Sequence, residues 1–343
     1  MEQTLLTEGK LLNENGDLVE SGYSTQLVRQ YNRNDIKAGK MRIKEWDYYY
    51  FGNNKYGVAL TVADNSYMAL MSVSTLDFEN KSQTTTSLMK WFTKGKIGLP
   101  STSAEGNVIF KNKKGYSFEF LLQGKTRILK VNYPNFKKGE TFTCELTLNP
   151  TNKDTMVIAT PFDKKKHFYY NQKMNLLNGE GFFTVGNKKY EFKKEDSYGV
   201  LDWGRGVWTY QNTWYWGSLN CIENGKRIGL NLGYGFGCNK NATENMLFID
   251  DKALKIDIVQ FNYQLDRKSL EDFSKPVRVT SNDGILDLIF EPLFDRHADT
   301  NAVFIRSNQH QVFGRYSGTI KIGNEEIIIK NQVGFIEKVF NRW

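Results

Sequence analysis

Residues 214–232 read Trp-Tyr-Trp-Gly-Ser-Leu-Asn-Cys-Ile-Glu-Asn-Gly-Lys-Arg-Ile-Gly-Leu-Asn-Leu, and Asn224-Gly225 divides them into two apolar runs, Trp214–Cys221 and Ile228–Leu232. Asn-Gly favours the positive backbone angles of the tightest hairpin turns, so the stretch predicts two antiparallel strands. Gly186-Asn187 does the same between Phe182–Val185 and Tyr190–Phe192, and Gly323-Asn324 between Thr319–Ile322 and Glu326–Lys330. Outward from these hairpins the period of two persists: Val58, Leu60 and Val62, then Met68–Val73, Phe118 and Phe120, Arg127–Tyr133, Met156–Thr160, Leu254–Tyr263 and Ile285–Phe290. Met41–Tyr50 reads as a further strand carrying charges among aromatics, and only Ser87–Thr93 reads as a short helix. The chain is therefore expected to be all-β, built as antiparallel barrels or sandwiches with few short helices.

With 343 residues the chain exceeds the usual size of one core, which makes two domains the default. The boundary is placed near Phe162–Leu177, after a lysine run, giving domains at residues 1–170 and 171–343. An aromatic content of 14% argues for heavy β structure and against broad disorder. The net charge of +8 comes largely from short lysine runs, among them Lys111–Lys114 and Lys164–Lys166, which read as solvated hairpin tips. None of these runs belongs to a recognised binding fold, so no nucleic-acid partner is expected. Three cysteines, Cys144, Cys221 and Cys238, form no metal or disulfide pattern and point to a reducing compartment. No stretch approaches the length of a membrane span, so the expectation is a cytoplasmic protein without an integral membrane segment, leaving transient membrane contact open. Nothing in the chain fixes an oligomeric state.

Function concentrates in residues 198–218, where Asp202 and Arg205 sit among Trp203, Trp208, Trp214 and Trp216, four of the chain's seven tryptophans. The aromatics favour burial, and charges buried with them must be paired or change their pKa, which makes them candidates for acid–base work. Gly199, Gly204 and Gly206 suggest a rigid turn that displays the carboxylate, the guanidinium and flat apolar walls. A structural ion pair pinning a turn is the competing reading. Glu45 and Asp47, which flank Trp46 inside a strand, are the alternative acids. Asn231, Glu244, Asn245, Asp295-Arg296-His297, His310 and Arg315 form a later polar set, from which Asn231, Glu244 and His310 are read as ligand contacts together with Tyr234. Gly233-Tyr-Gly-Phe-Gly237 lacks the third glycine of a dinucleotide fingerprint. The histidines, His167, His297 and His310, are too scattered to imply a metal, and no serine-hydrolase elbow occurs.

Several of these segments resemble known families. Lys44-Glu-Trp-Asp-Tyr48, Leu201-Asp-Trp-Gly-Arg-Gly-Val-Trp208, Asn231–Gly237, Ala242-Thr-Glu-Asn245, Gln311-Val-Phe-Gly314 and Gly334-Phe-Ile-Glu337 resemble a bacterial family classified only as a domain of unknown function. Phe168-Tyr-Tyr170, Gly179–Gly181, Gly199–Asp202 and Trp214-Tyr-Trp216 are similar, more distantly, to the carotenoid hydratases (hydroxyneurosporene synthases) and their AttH-like relatives. The second resemblance implies two lipocalin-like β domains in tandem, a fold shared with tocopherol cyclases and fungal pericyclases. In the hydratases the matching motif runs Asp-His-Asn and supplies an acid to an isoprenoid double bond. Here Asp202 keeps the acid, whereas Trp203 and Gly204 replace the other two.

The expectation is thus a cofactor-independent enzyme, a lyase (hydratase) or isomerase, acting on a hydrophobic, isoprenoid or lipid-like molecule by isomerisation, hydration or cyclisation. Asp202 would be its acid or base, Arg205 its oxyanion clamp, and Trp46, Trp203, Trp208, Trp214 and Trp216 its walls. The alternative is a non-catalytic carrier of such a molecule.

Overall fold

A computed structural model describes residues 2–302 and 305–342. Strand dominates it, with two single-turn 3₁₀ helices, Arg33–Asp35 and Lys40–Arg42, and no α-helix among the described residues. The hairpins fall where the turn residues place them. Asn224 and Gly225 both take positive φ (51° and 81°), and Glu223 pairs with Lys226 across the turn. Gly186 and Gly323 do likewise at φ 56° and 57°. Ser87–Thr93 departs from expectation, because most of it belongs to the strand Ser82–Trp91. Leu88 turns toward the core while Met89 and Trp91 lie on the exposed face, and apolar residues on both faces imitate a helical pattern.

The strands form two large curled sheets. The first has thirteen strands and runs from Ser82–Trp91 through Met68–Asp77, Tyr56–Asp64, Ile43–Gly52, Tyr198–Val207, Phe168–Val185 and Glu140–Pro150 to Val108–Lys111. It curls over Leu60, Val73, Phe118, Phe142, Leu148 and Trp203, and Thr86 Oγ1 donates across the closing edge to the Phe136 carbonyl at 2.9 Å. The second has nine strands, centred on Gln211–Glu223, Glu325–Arg342 and Ile305–Ile322, and curls over Leu230, Leu247, Phe290, Tyr316 and Ile336. This is the tandem lipocalin-like all-β architecture. The chain passes from one sheet to the other between Val207 and Gln211. Residues 171–207 thus lie in the first sheet, although a boundary at 170/171 assigned them to the second half. The long strand Phe168–Val185 pairs with four strands of the first sheet, which no local composition signal reveals.

Between the half-barrels the outer faces of the sheets pack on each other through Tyr48, Tyr50, Val200, Trp216, Phe313 and Phe335. A second cluster adds Ile158, Tyr169, Trp208, Phe236 and Phe248. The strand Tyr198–Val207 is consequently buried at all ten positions, one face toward the first core and the other toward the interface. It is not the turn that its glycines suggested: Gly204 is bare because a Cβ there would meet the Trp46 ring at 2.0 Å, and Gly206 because one would meet the Phe168 carbonyl oxygen at 2.5 Å.

Candidate active site

Side chains alternate along a strand, so residues 202 and 205 point to opposite faces. Arg205 enters the first half-barrel. Its Nε donates to the Pro100 carbonyl (3.2 Å), Nη1 to the carbonyls of Trp46 (2.7 Å) and Gly204 (2.8 Å), and Nη2 to Asp47 Oδ1 (3.0 Å) and Pro100 O (2.7 Å). A guanidinium has five N–H donors and all are taken. Arg205 also lies 4.3 Å from the Trp203 ring centroid and has no exposed surface. The expected clamp is therefore a structural pin, and Trp203 packs in the first core instead of walling a ligand site. Glu45 and Asp47 share this inner face. Glu45 accepts from Tyr31 (2.7 Å) and from Arg33, and burial pushes the Asp47 carboxyl up while Arg205 opposes it.

Asp202 faces the other way, onto the interface. Its Oδ1 accepts from Lys173 Nζ (2.8 Å) and Asn171 Nδ2 (2.6 Å), both on the neighbouring strand, and its side chain keeps 11% of its surface open. Lys173 lies 3.9 Å from the Trp216 ring centroid, so one indole face already holds a cation. Two more carboxylates approach from the other half, Glu337 from the strand Glu325–Arg342 and Glu244 from the segment between Lys226–Tyr234 and Met246–Ile249. Glu244 is 5% exposed, and burial pushes its carboxyl up to about 7, with Asp202 adding to the rise and Lys173 and Lys255 opposing it. Burial likewise raises Glu337, which accepts from Trp214 Nε1 (2.8 Å) and Gln311 Nε2 (3.0 Å). Tyr169 shares a hydrogen bond with Glu244, and burial raises its phenol. Trp216 Nε1 donates to Asn231 Oδ1 (2.8 Å), and Asn231 Nδ2 donates to the Glu244 carbonyl (2.7 Å).

Aromatic rings wall this charged cluster. Trp46 stacks on Tyr169 with centroids 6.1 Å apart and meets Trp208 edge-on at 5.4 Å. Trp208 meets Trp214 at 5.5 Å, and Phe236 closes the ring at 5.0 Å from each. Trp46 and Trp214 are only partly buried and form its outer lip. A cleft of about 280 Å³ opens farther along the same interface, bounded by Tyr50, Tyr198, Asn220, Cys221, Gln332 and Val333. Tyr198 is four residues from Asp202 on one strand, which separates them by about 13 Å.

The interface thus gathers Asp202, Trp46, Trp208, Trp214, Trp216, Asn231 and Glu244 from the sequence-derived set. It excludes Tyr234 and His310, which lie in one cross-strand row, Tyr234–Tyr215–Lys338–His310–His297, on the opposite face of the second sheet. There Tyr234 stacks on Tyr215 at 4.5 Å, and His310 bonds Asp295 (2.6 Å) beneath Phe273. Sequence reasoning missed Lys173, Tyr169 and Glu337. Lys173 offered a readable signal, being a lysine inside the otherwise uncharged run Phe168–Asn178.

Solved structures share this architecture. A candidate AttH protein from Nitrosomonas europaea aligns with a TM-score of 0.50 at 12% identity, over 90% of this chain and 95% of that one. CghA aligns with a TM-score of 0.54 at 9% identity, over 98% and 97%. Kievitone hydratase from Nectria haematococca gives 0.47 at 12% identity over 88% of each chain. At these identities the likeness to the AttH protein and CghA is one of fold. No curated protein matches the chain in sequence. The family model described as a domain of unknown function, DUF2804, matches residues 2–343, and the chain belongs to that family.

Proposed function

We propose that the protein is an enzyme that moves protons on an apolar small molecule held between its two half-barrels. The observation that carries this reading is Glu244, a buried carboxyl raised to about 7 beside the Asp202–Lys173 pair. Two acids whose surroundings differ in this way suit opposite roles in one site. Glu244 holds a proton near neutrality and acts as the acid. Asp202, paired with Lys173 and Asn171, is the base or the counter-charge to a developing cation. Trp46, Trp208 and Trp214 present faces that each stabilise a cation by ~0.5–2 kcal/mol. Protonation of an alkene followed by water addition, proton loss or ring closure would use these groups, which supports a hydratase or isomerase of isoprenoid or lipid-like substrates. Proton transfer of this kind requires no cofactor. The ring closes on itself in this conformation, so a ligand enters by parting its outer members, Trp46 and Trp214.

A carrier function is the second reading. It is favoured by one observation: Trp214, Trp216, Asn231 and Gln311 already satisfy one another or the carboxylates, as an orienting wall would. Native mass spectrometry of the purified protein, followed by extraction of any co-purifying molecule, separates the two. Under the enzyme reading, Asp202→Asn and Glu244→Gln retain the molecule but fail to convert it. Retention without conversion by the parent protein would replace enzyme with carrier, and no retained apolar molecule would overturn both.

A further inference from the structure

The edge strand of the first sheet ends in an exposed group that the proposed chemistry does not use. Met89, Trp91 and Phe92 are 52%, 57% and 66% exposed, and Lys90, Lys94 and Lys96 beside them are exposed as well. No acidic residue occurs between Glu79 and Glu105, so this turn carries only positive charge.

Its exposure is built in. Phe92 and Lys94 hold positive φ (55° and 53°), a conformation that disfavours an aromatic residue and persists only where the surroundings enforce it. The enforcement is visible. Thr93 is buried between them and donates to the wholly buried Asp64 (2.7 Å), whose other oxygen accepts from the Ile97 amide (3.3 Å). The amides of Phe92 and Lys94 donate to the carbonyls of Tyr67 (2.6 Å) and Ser66 (2.8 Å). A buried aspartate thus clamps the backbone in the one geometry that turns Trp91 and Phe92 toward solvent.

The patch also connects to the interface. Asn171, Gly204, Trp46, Ala63, Leu70 and Met89 are successive cross-strand partners, one row on the outer face of the first sheet. It begins at the residue that bonds Asp202 and ends in the exposed patch.

We propose that the Met89–Lys96 turn docks the protein on an anionic lipid surface. Trp91, Phe92 and Met89 sit among the headgroups, and the three lysines face lipid phosphates and carboxylates, a pairing of aromatics with cations that suits the membrane–water boundary. The row to Trp46 then puts the lip of the interface three strand spacings, about 14 Å, from the docked patch. Docking does not depend on the acid–base reading; only the consequence that an apolar substrate arrives from the lipid rests on it.

Co-sedimentation of the full chain with phosphatidylcholine vesicles, with and without phosphatidylserine, tests the proposal. The parent protein should bind the anionic vesicles, more weakly in high salt, and should hardly bind the neutral ones. The double variant Trp91→Ala/Phe92→Ala should lose about tenfold in partitioning, with an unchanged melting temperature because both side chains are exposed. Lys90→Gln/Lys94→Gln/Lys96→Gln should abolish the preference for phosphatidylserine. Glu244→Gln should bind vesicles as the parent does, which keeps this test separate from that of the chemistry. Absence of binding, equal binding to neutral vesicles, or undiminished binding by the double variant would overturn the proposal. So would light scattering that shows a dimer of the parent and a monomer of the double variant, since a second copy would then cover the patch.

Discussion

The two faces of the strand Tyr198–Val207 each bury an ion pair, Arg205 with Asp47 on one side and Asp202 with Lys173 on the other. On the inner face every guanidinium hydrogen has an acceptor, so Arg205 has no donor left for a ligand. On the interface side the pair stands beside two further carboxylates that burial has pushed upward. The difference teaches that charge buried among tryptophans is not itself a sign of chemistry. What separates a pin from a site is whether all partners are already assigned.

The largest effect tests that contrast. Arg205→Met should destabilise the fold by about 3–5 kcal/mol, because it strands Asp47 in the core without its counter-ion. Urea denaturation measures this, and a loss below about 1 kcal/mol would mean that the inner pair is not structural. Glu244→Gln should change the pH dependence. A carboxyl raised in the folded state favours folding fully below its unfolded value of 4.5, and that contribution is lost as pH rises through about 7. The variant should therefore gain on the parent, by roughly 2–3 kcal/mol between about pH 5 and pH 8, when both are unfolded by urea across that range. A constant difference would show that Glu244 does not titrate there; Lys173, Asp202, Lys255 and Tyr169 are the groups facing it.

Gly204→Ala sharpens the comparison from the backbone. The new methyl collides with the Trp46 ring, so a loss of about 1–3 kcal/mol and altered tryptophan fluorescence are expected. Unchanged fluorescence would place Trp46 elsewhere. Asp202→Asn should have the smallest effect on stability, about 1–2 kcal/mol, since the site is partly open and the amide oxygen still accepts from Asn171. If it cost as much as Arg205→Met, the two pairs would be equivalent and the proposed site would lose its distinction.

The same strand explains what the sequence could tell. Hairpins were legible because Asn224-Gly225 and its counterparts announce a backbone conformation. Half-buried strands were legible because one face is apolar. A strand buried on both faces has no such alternation, so the glycines of residues 199–206 pointed to a turn, and Asp202 and Arg205 looked like neighbours. Parity along a recognised strand would have separated them. Glu337 was hidden for another reason: it meets Asp202's surroundings only through the packing of two sheets. Asn231 was found because a polar residue within the apolar run Ile228–Leu232 stands out, whereas Glu244 was read only as one of several polar residues in the later half.

One consequence lies in the division of labour between odd and even positions along those ten residues. Leu201, Trp203, Arg205 and Val207 anchor the first core, whereas Val200, Asp202, Gly204 and Gly206 border the interface. Substitution at positions 200 and 202 can therefore alter the surface that borders the interface and leave the first core alone, whereas Gly204 and Gly206 are held bare by the Trp46 ring and the Phe168 carbonyl. Relatives should differ most at positions 200 and 202 and agree at 201, 203, 205 and 207 and at the two glycines.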